Sequence, residues 1–258
     1  MAYDHSRIRL FVDAPLASGA RLDLAADHIH YLRAVMRRRE GDRFHVFNGS
    51  DGEWLAELTA MGKKTGAATL HQRVREQTSV PDLWLAFAPI KGARLDFVVQ
   101  KATELGAAVL QPVLTERTVV RSLNMERLRA NAVEAAEQCE CLTVPEIREP
   151  LTLRNLLGGW PAGRGLIWCD EGGDRPALEA LSAAAGKGNA WAILTGPEGG
   201  FTDAERALVE AQKAALPISL GPRIMRADTA AVAALALFQA TLGDWSTSPV
   251  HRSGVIGS

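Results

Sequence analysis

Cysteine is scarce in this chain. Three residues in 258, an odd number, leave no disulfide framework to find and point to a reducing compartment. Long apolar runs are missing as well. The longest, Ala230 to Phe238, falls far short of the roughly 20 residues that a membrane-spanning helix needs, and no apolar segment follows the first charges as it would in a signal peptide. These absences predict a cytoplasmic protein with no membrane partner. Several chemical signatures are also absent. Gly-x-Ser-x-Gly, His-Glu-x-x-His and paired Cys-x-x-Cys motifs do not occur, so serine hydrolase and zinc chemistry have no support. Neither a Gly-x-Gly-x-x-Gly fingerprint nor a Walker A loop is found. Cys139-Glu140-Cys141 suggests a metal or redox pair, but Cys139 falls on an apolar helix face, where a free cysteine packs as a small hydrophobe. His28 and His30 lack a second ligand cluster at sensible spacing, and no metal is expected.

What is present is ordinary globular composition, 47% hydrophobic and 23% charged, enough for one large domain or two smaller ones. The overall charge of −1 hides an asymmetry. Residues 1–75 carry 12 Lys/Arg against 9 Asp/Glu, and five of the six histidines. A mildly basic, His-rich front end suits a polyanion.

Two grammars divide the chain. Residues 1–76 read as short strands with Gly turns and one small helix, a compact β-rich barrel or sandwich. Arg7 to Val12 is the first strand. Asp27 is placed to cap a helix with Ile29, Leu32 and Met36 inward, while His30, Arg33 and Arg37 share another face, extended by Arg38 and Arg39. That cluster suits RNA, and it also suits a solvated helix face. Phe44 and Val46 alternate with Arg43 and His45, as in a half-buried strand. After the polar linker from Gln77 to Pro81, strands and helices alternate through residues 77–245. Strands are expected at 83–88, 109–114, 166–169, 191–194 and 218–220, and helices at 95–105, 128–139, 151–157, 176–185 and 229–242. This pattern means a mostly parallel α/β sheet covered on both faces. The tail, 246–258, is polar with Gly and Pro and reads as disordered.

The stretch Ile193-Leu194-Thr195-Gly196-Pro197-Glu198-Gly199-Gly200-Phe201-Thr202-Asp203-Ala204-Glu205 organises this second part. A buried strand runs into a glycine-dense loop and then a helix. Gly199 and Gly200 permit φ > 0 or close approach of the backbone to a ligand, and Pro197 stiffens the loop. Thr202 and Glu205 form a capping box, and Ala204, Ala207, Leu208 and Ala211 mark an apolar helix face. A second loop, Leu220-Gly221-Pro222-Arg223-Ile224-Met225-Arg226-Ala227-Asp228-Thr229-Ala230, repeats the grammar, with Asp228 or Thr229 as cap. Two such loops can wall a cleft at the carboxyl end of a sheet, suited to an adenine nucleoside against Leu194, Leu220, Ile224 and Met225. The same grammar also serves tight connections with no ligand, and the arginines also read as plain surface charges.

Together, Leu-Thr-Gly-Pro-Glu-Gly-Gly-Phe-Thr-x-x-Glu and Leu-Gly-x-Arg-Ile-Met-Arg-x-Asp-Thr-Ala closely resemble the bacterial 16S ribosomal RNA uridine-N3 methyltransferases of the SPOUT class. The resemblance extends to His30-Tyr31-Leu32-Arg33 with Val35-Met36-Arg37, to Phe47-Asn48-Gly49, to Lys91-Gly92, to Gln100 through Gly106, to Thr115-Glu116-Arg117, and to Glu134 through Gln138. Glu140-Cys141 stands where the family commonly has Gly-Arg, Met225 replaces its common Leu, and Asp228 replaces its Glu. The resemblance implies a PUA-like RNA-binding domain (1–76) and a SPOUT domain (77–245) with a trefoil knot, a rare exception to the un-knotted rule. It implies S-adenosylmethionine (SAM) as cofactor, a homodimer, and N3 of a uridine in 16S ribosomal RNA, within the small subunit, as target. Cofactor contacts would come from Leu194, Thr195, Gly196, Glu198, Gly199, Gly200, Leu220, Gly221, Ile224, Met225, Arg226 and Thr229. Arg226 and Glu198 are the candidate catalytic residues. RNA contacts would come from Arg7, Arg9, His30, Arg33, Arg37, Arg38, Lys91 and Arg117. The alternatives are a SPOUT enzyme acting on tRNA or on ribose, and a non-catalytic RNA-binding or assembly protein.

Overall fold

The computed structural model describes residues 8–247; Arg7 and the tail from 248 onward lie outside the described residues. In chain order the strands begin with β1 (Arg9–Phe11) and β2 (Arg21–Leu24). Then come α1 (Ala26–His30), a π-helical turn (Tyr31–Val35), β3 (Arg43–Phe47), β4 (Glu53–Met61) and β5 (Gly66–Arg75). Alternation follows in β6 (Asp82–Phe87), α2 (Ala93–Glu104), β7 (Val109–Leu114) and α3 (Met125–Cys139). Next are β8 (Glu146–Ile147), β9 (Leu151–Thr152), α4 (Leu153–Gly158), β10 (Gly165–Cys169) and α5 (Ala177–Ala184). The last are β11 (Ala190–Thr195), α6 (Asp203–Glu210), β12 (Ala215–Ile218) and α7 (Ala227–Thr241). Contacts divide the chain into two compact units. One holds residues up to 80 with 99–108 and 124–147; the other holds 81–98, 109–123 and 148 onward.

In the first unit the sheet order is β1-β3-β4-β5-β2, with β1 parallel to β3 and the other pairs antiparallel. Its core gathers Leu10, Ile29, Leu32, Phe44, Val46 and Leu70 with their neighbours. Register shifts between β4 and β5 bend the pair, as bulges do. Gly66 is required at the start of β5, because a Cβ there would sit 2.3 Å from Ile29 Cδ1 and 2.6 Å from the Ala60 carbonyl. Strand β3 does not alternate as expected: His45 and Phe47 are buried along with Phe44 and Val46. The reason is that its second face is covered too, Phe47 packing with Ala136 of α3 and with Leu142.

The helix expected after Asp27 is shorter and wider. Ala25 is the residue before its first turn and provides no side-chain cap, while Asp27 sits inside that turn and accepts the His28 N–H at 2.9 Å. Met36 N–H reaches the Tyr31 carbonyl and Arg38 N–H the Leu32 carbonyl, and Arg37 takes φ 53°. Ile29 and Leu32 are buried as predicted, but the chain leaves α geometry before Arg33 and Arg37 can repeat at α spacing.

In the second unit parallel strands run in the order β12-β10-β11-β6-β7, and β9 pairs with β7. Leu153 and Leu156 of α4 and Val209 of α6 bury against Ala86, Leu166, Trp168, Ala192 and Leu194. Helix α7 packs on β11 and on α5. Strand β12 ends at Ile218, earlier than the expected 218–220, and Ser219 makes only an isolated bridge to Pro176. On α6 the inward residues are Glu205 and Val209, whereas Ala204, Ala207 and Ala211 are exposed. Alanines carry too little apolar area to set a helix's rotation, and the buried capping carboxylate sets it instead.

Candidate functional site

The carboxyl ends of β10, β11 and β12 face one cleft of about 700 Å³, the place where ligands bind in open α/β sheets. Its walls are three strand-to-helix loops, Cys169–Asp174, Thr195–Phe201 and Ser219–Ala227, with Arg117 from the segment after β7.

Each loop is shaped locally. Gly196 must be glycine, since a Cβ there would lie 2.9 Å from the Phe201 ring, and Phe201 is held edge-on against Trp168 at 6.1 Å. Gly200 N–H closes a turn onto the Pro197 carbonyl at 2.9 Å, and Gly200 takes φ 66°. Gly199 needs no such conformation; a Cβ on it would meet Arg117 carbons at 3.4 Å. The capping box is present in both directions. Its Glu205 carboxylate also accepts the Glu116 N–H at 2.8 Å, so one buried side chain pins the loop after β7 to the start of α6. Nothing in the local spacing announced that third bond.

The structure brings most of the expected cofactor residues together. Thr195, Gly196, Glu198, Gly199, Gly200, Leu220, Gly221, Ile224, Met225 and Arg226 all line the cleft. Two do not. The Leu194 side chain is fully buried in the sheet core, because β11 points it at α4 and α6. Thr229 is exposed and absent from the lining, because α7 starts two residues earlier than expected. Arg226 precedes its first turn, with no side-chain cap, and Asp228 accepts the Thr229 N–H instead. Arg226, Arg223 and Glu198 carry no ion pair or side-chain hydrogen bond among the described residues.

The loop after β10 forms the third wall, one that no sequence motif marks. Asp170 is buried and grips Arg206 of α6 through both carboxylate oxygens, at 2.5 and 2.9 Å, while Gly172 N–H donates to the same group. Cys169 lines the cleft, and burial pushes its thiol up to about 12. An unremarkable Cys-Asp-Glu-Gly-Gly carried no signal strong enough to find this wall.

The candidate RNA contacts separate into different environments. Arg9 is not available to RNA. Its side chain is buried, paired with Glu53 at 2.5 Å, and its guanidinium donates to the carbonyls of Ala136, Glu137 and Cys141. Arg117 is exposed at the cleft but braces it, donating to the Gly199 carbonyl at 2.7 Å. Lys91 is exposed outside the cleft lining. His30, Arg33 and Arg37 are exposed and Arg38 half-buried around the π-helical turn, where Arg33 also holds the Met61 carbonyl at 3.0 Å. Cys139, expected to be buried, is exposed; the buried face of α3 is Leu128, Ala132, Ala135 and Ala136. Among the described residues no group of three or more His, Cys, Asp or Glu is placed to hold a metal, and no helix is long and apolar enough to cross a membrane.

Residues 76–239 match the RNA methyltransferase domain family, and residues 24–70 match the RNA methyltransferase PUA domain. The ribosomal RNA small subunit methyltransferase E of Rickettsia conorii is 34% identical over 230 residues, 88% of this chain and 93% of that protein. The protein of the same name from Synechocystis is 37% identical over 238 residues, 91% and 78% of the two chains. Among solved structures, ribosomal RNA small subunit methyltransferase E from Neisseria gonorrhoeae bound to S-adenosylmethionine superposes with a TM-score of 0.80 at 28% identity, covering 93% of this chain and 99% of that one. A putative methyltransferase from Legionella pneumophila in complex with the same cofactor gives 0.80 at 30% identity, covering 92% and 99%. With the sheet order, the looped cleft and the near full-length matches in agreement, the chain belongs to the RNA methyltransferase family of the ribosomal RNA small subunit methyltransferase E proteins, with their SPOUT-type α/β fold and PUA domain.

Proposed function

We propose that the cleft binds S-adenosylmethionine and that the chain methylates N3 of a uridine in 16S ribosomal RNA, within the small subunit, as a cytoplasmic homodimer. The observation that carries this reading is the meeting of three loops at one sheet end, with Arg226 unpaired on their lining. The lining fits the cofactor. Its volume is in the range of small-molecule sites. The backbone around Gly196 and Gly200 is open to close approach, and Leu220, Ile224 and Met225 offer apolar surface for an adenine. Acidic Asp170, Glu171 and Glu198 stand beside basic Arg117, Arg206, Arg223 and Arg226, matching a ligand with charges of both signs.

When bound, S-adenosylmethionine supplies an activated methyl group and its own leaving group. The chain must supply alignment and help with a proton, because uridine N3 is not nucleophilic until its proton leaves. Arg226 lies at the end of the third loop, just before α7 begins. A guanidinium beside the uracil carbonyls stabilises the charge that develops as N3 loses its proton, but it stays protonated and is a poor base. Glu198, the carboxylate of the second loop, is the candidate acceptor. For the dimer, α7 already spends Ala231, Ala234, Leu235 and Phe238 on its own chain. Val232, Ala233, Ala236 and Leu237 remain half-buried and form the face offered to a second copy. Sedimentation of the full chain at micromolar concentration is expected to give a dimer, and a monomer there counts against this face.

The test is methyl transfer from labelled cofactor to 16S RNA, free and in the small subunit, followed by nucleoside analysis. Arg226→Ala is expected to lower turnover by roughly 10²-fold while cofactor affinity stays near wild type, with part of the loss returning at high pH. Methyl found on a ribose or on another base overturns the uridine-N3 assignment, and near-normal turnover in Arg226→Ala removes that residue from the mechanism.

A further inference from the structure

Glu205 does more than a capping box asks of it. Such a box occupies one oxygen of its carboxylate, and Oε2 fills that role, accepting the Thr202 N–H at 3.0 Å and lying 3.3 Å from the Thr202 hydroxyl. Oε1 points elsewhere, to the Glu116 N–H at 2.8 Å. The residue is only 5% exposed, and a carboxylate is costly to bury unless donors meet it; here each oxygen has one. Glu116 belongs to a turn closed within itself. Thr115 N–H donates to Thr118 Oγ1 at 2.9 Å, Thr118 N–H returns to the Thr115 carbonyl at 3.2 Å, and both threonines are buried. Arg117 stands at the tip of this turn, and its guanidinium donates to the Gly199 carbonyl at 2.7 Å and the Phe201 carbonyl at 3.5 Å. The contacts close a ring, from Glu205 to Glu116, through Arg117 to Gly199 and Phe201, and through Thr202 back to Glu205. Arg117, Gly199, Gly200 and Phe201 line the cleft, whereas Thr202 and Glu205 stand behind it.

We propose, resting on the reading of the cleft as the S-adenosylmethionine site, that Glu205 is a positioning residue for the cofactor. It sets Arg117 on the loop from Gly199 to Phe201, so that this backbone holds one shape before the ligand arrives. A loop with two successive glycines has many shapes to lose on binding, and a loop already held binds more tightly because less freedom remains to be lost. The charge state of the side chain matters to this role. A carboxylate only accepts, and it offers an oxygen to each of the two N–H groups; an amide of the same size would turn its own NH2 toward one of them.

The test uses the full chain with S-adenosylmethionine alone, so that RNA contacts do not enter. Calorimetry gives the cofactor Kd for wild type, Glu205→Gln, Arg117→Met, the double variant and Thr202→Ala, and hydrogen exchange of the free proteins reads protection across residues 196–202. Glu205→Gln and Arg117→Met are each expected to raise Kd by roughly tenfold or more and to speed exchange of that loop. The double variant is expected to add little to the larger single effect, because both changes break the same ring. Thr202→Ala removes the hydroxyl cap but keeps both main-chain bonds to the carboxylate. It is expected to lower the melting temperature while Kd stays within about twofold of wild type. A Thr202→Ala loss of affinity equal to that of Glu205→Gln would make Glu205 a helix cap and nothing more, and additive losses in the double variant would mean that the two residues act separately; either result overturns the proposal. Arg117 is exposed, so Arg117→Met folds even where the buried Glu205 resists substitution, and a wild-type Kd in that variant also overturns it. A wild-type chain that binds no S-adenosylmethionine overturns the reading of the cleft itself.

Discussion

Arg9 shows how far a residue's chemistry depends on what the fold puts around it. In the sequence it is one of several front-end arginines; in the structure it is sealed beside Glu53, with Arg75 at 3.2 Å and His45 at 3.4 Å from that carboxylate. Burial alone would raise the Glu53 carboxyl. The His45 imidazole at 3.4 Å and the charge and hydrogen bond of Arg9 outweigh it and hold the group at about 2. A carboxyl depressed in the folded state contributes stability that is complete above its unfolded value, near 4.5, and is lost as pH falls toward 2. The contribution is on the order of 3 kcal/mol. Glu53→Gln is therefore expected to be less stable than wild type at neutral pH, with the gap narrowing between pH 4.5 and 2. Urea titrations across that window measure it, and a gap independent of pH rules this account out.

The elements were legible where periodicity and punctuation agreed. Strand β7 occupies its expected residues, the capping box starts α6, and Gly106 follows α2. Several misreadings rest on a contact distant in sequence. The π-helical turn is the instructive case. Apolar spacing correctly buried Ile29 and Leu32, but the widened turn stops at Val35, Arg37 takes φ 53°, and Arg33 is drawn to the Met61 carbonyl of β4. Such widened turns recur at functional sites, and here one spreads His30, Arg33 and Arg37 over an exposed surface with Tyr31 and Val35. Replacing Arg33 and Arg37 by Ala is expected to weaken RNA binding and to flatten its dependence on salt by on the order of one unit or more, leaving cofactor affinity unchanged. Binding isotherms at several salt concentrations decide the matter, and an unchanged slope moves the positive surface elsewhere.

On the scale of the whole molecule, the sequence showed a β-rich front, a polar linker at Gln77 to Pro81 and an α/β remainder, with a cleft at two of the three loops that wall it. It did not show that the linker fails to separate the front from the rest of the chain. Residues 124–147 belong to the same compact unit as the N-terminal strands. Phe47 is sealed by Ala136 and Leu142, Phe11 N–H donates to Glu137 at 2.8 Å, and Arg9 finds three of its acceptors on carbonyls at the end of α3 and just beyond. A helix's own apolar stripe says which face is buried, not which sheet receives it. A fragment of residues 1–80 would expose Phe47 and strip the Arg9 guanidinium of its three carbonyl acceptors, a loss of several kcal/mol when unpaired buried groups and lost apolar cover are combined. That loss is comparable to the stability of a small domain. The fragment is thus expected to show no cooperative urea transition by the fluorescence of Trp54, its only tryptophan. Joining residues 124–147 to it through a flexible linker should restore one. A cooperative transition in the bare fragment, at the midpoint of the rejoined one, would show that α3 is a passenger on the N-terminal sheet.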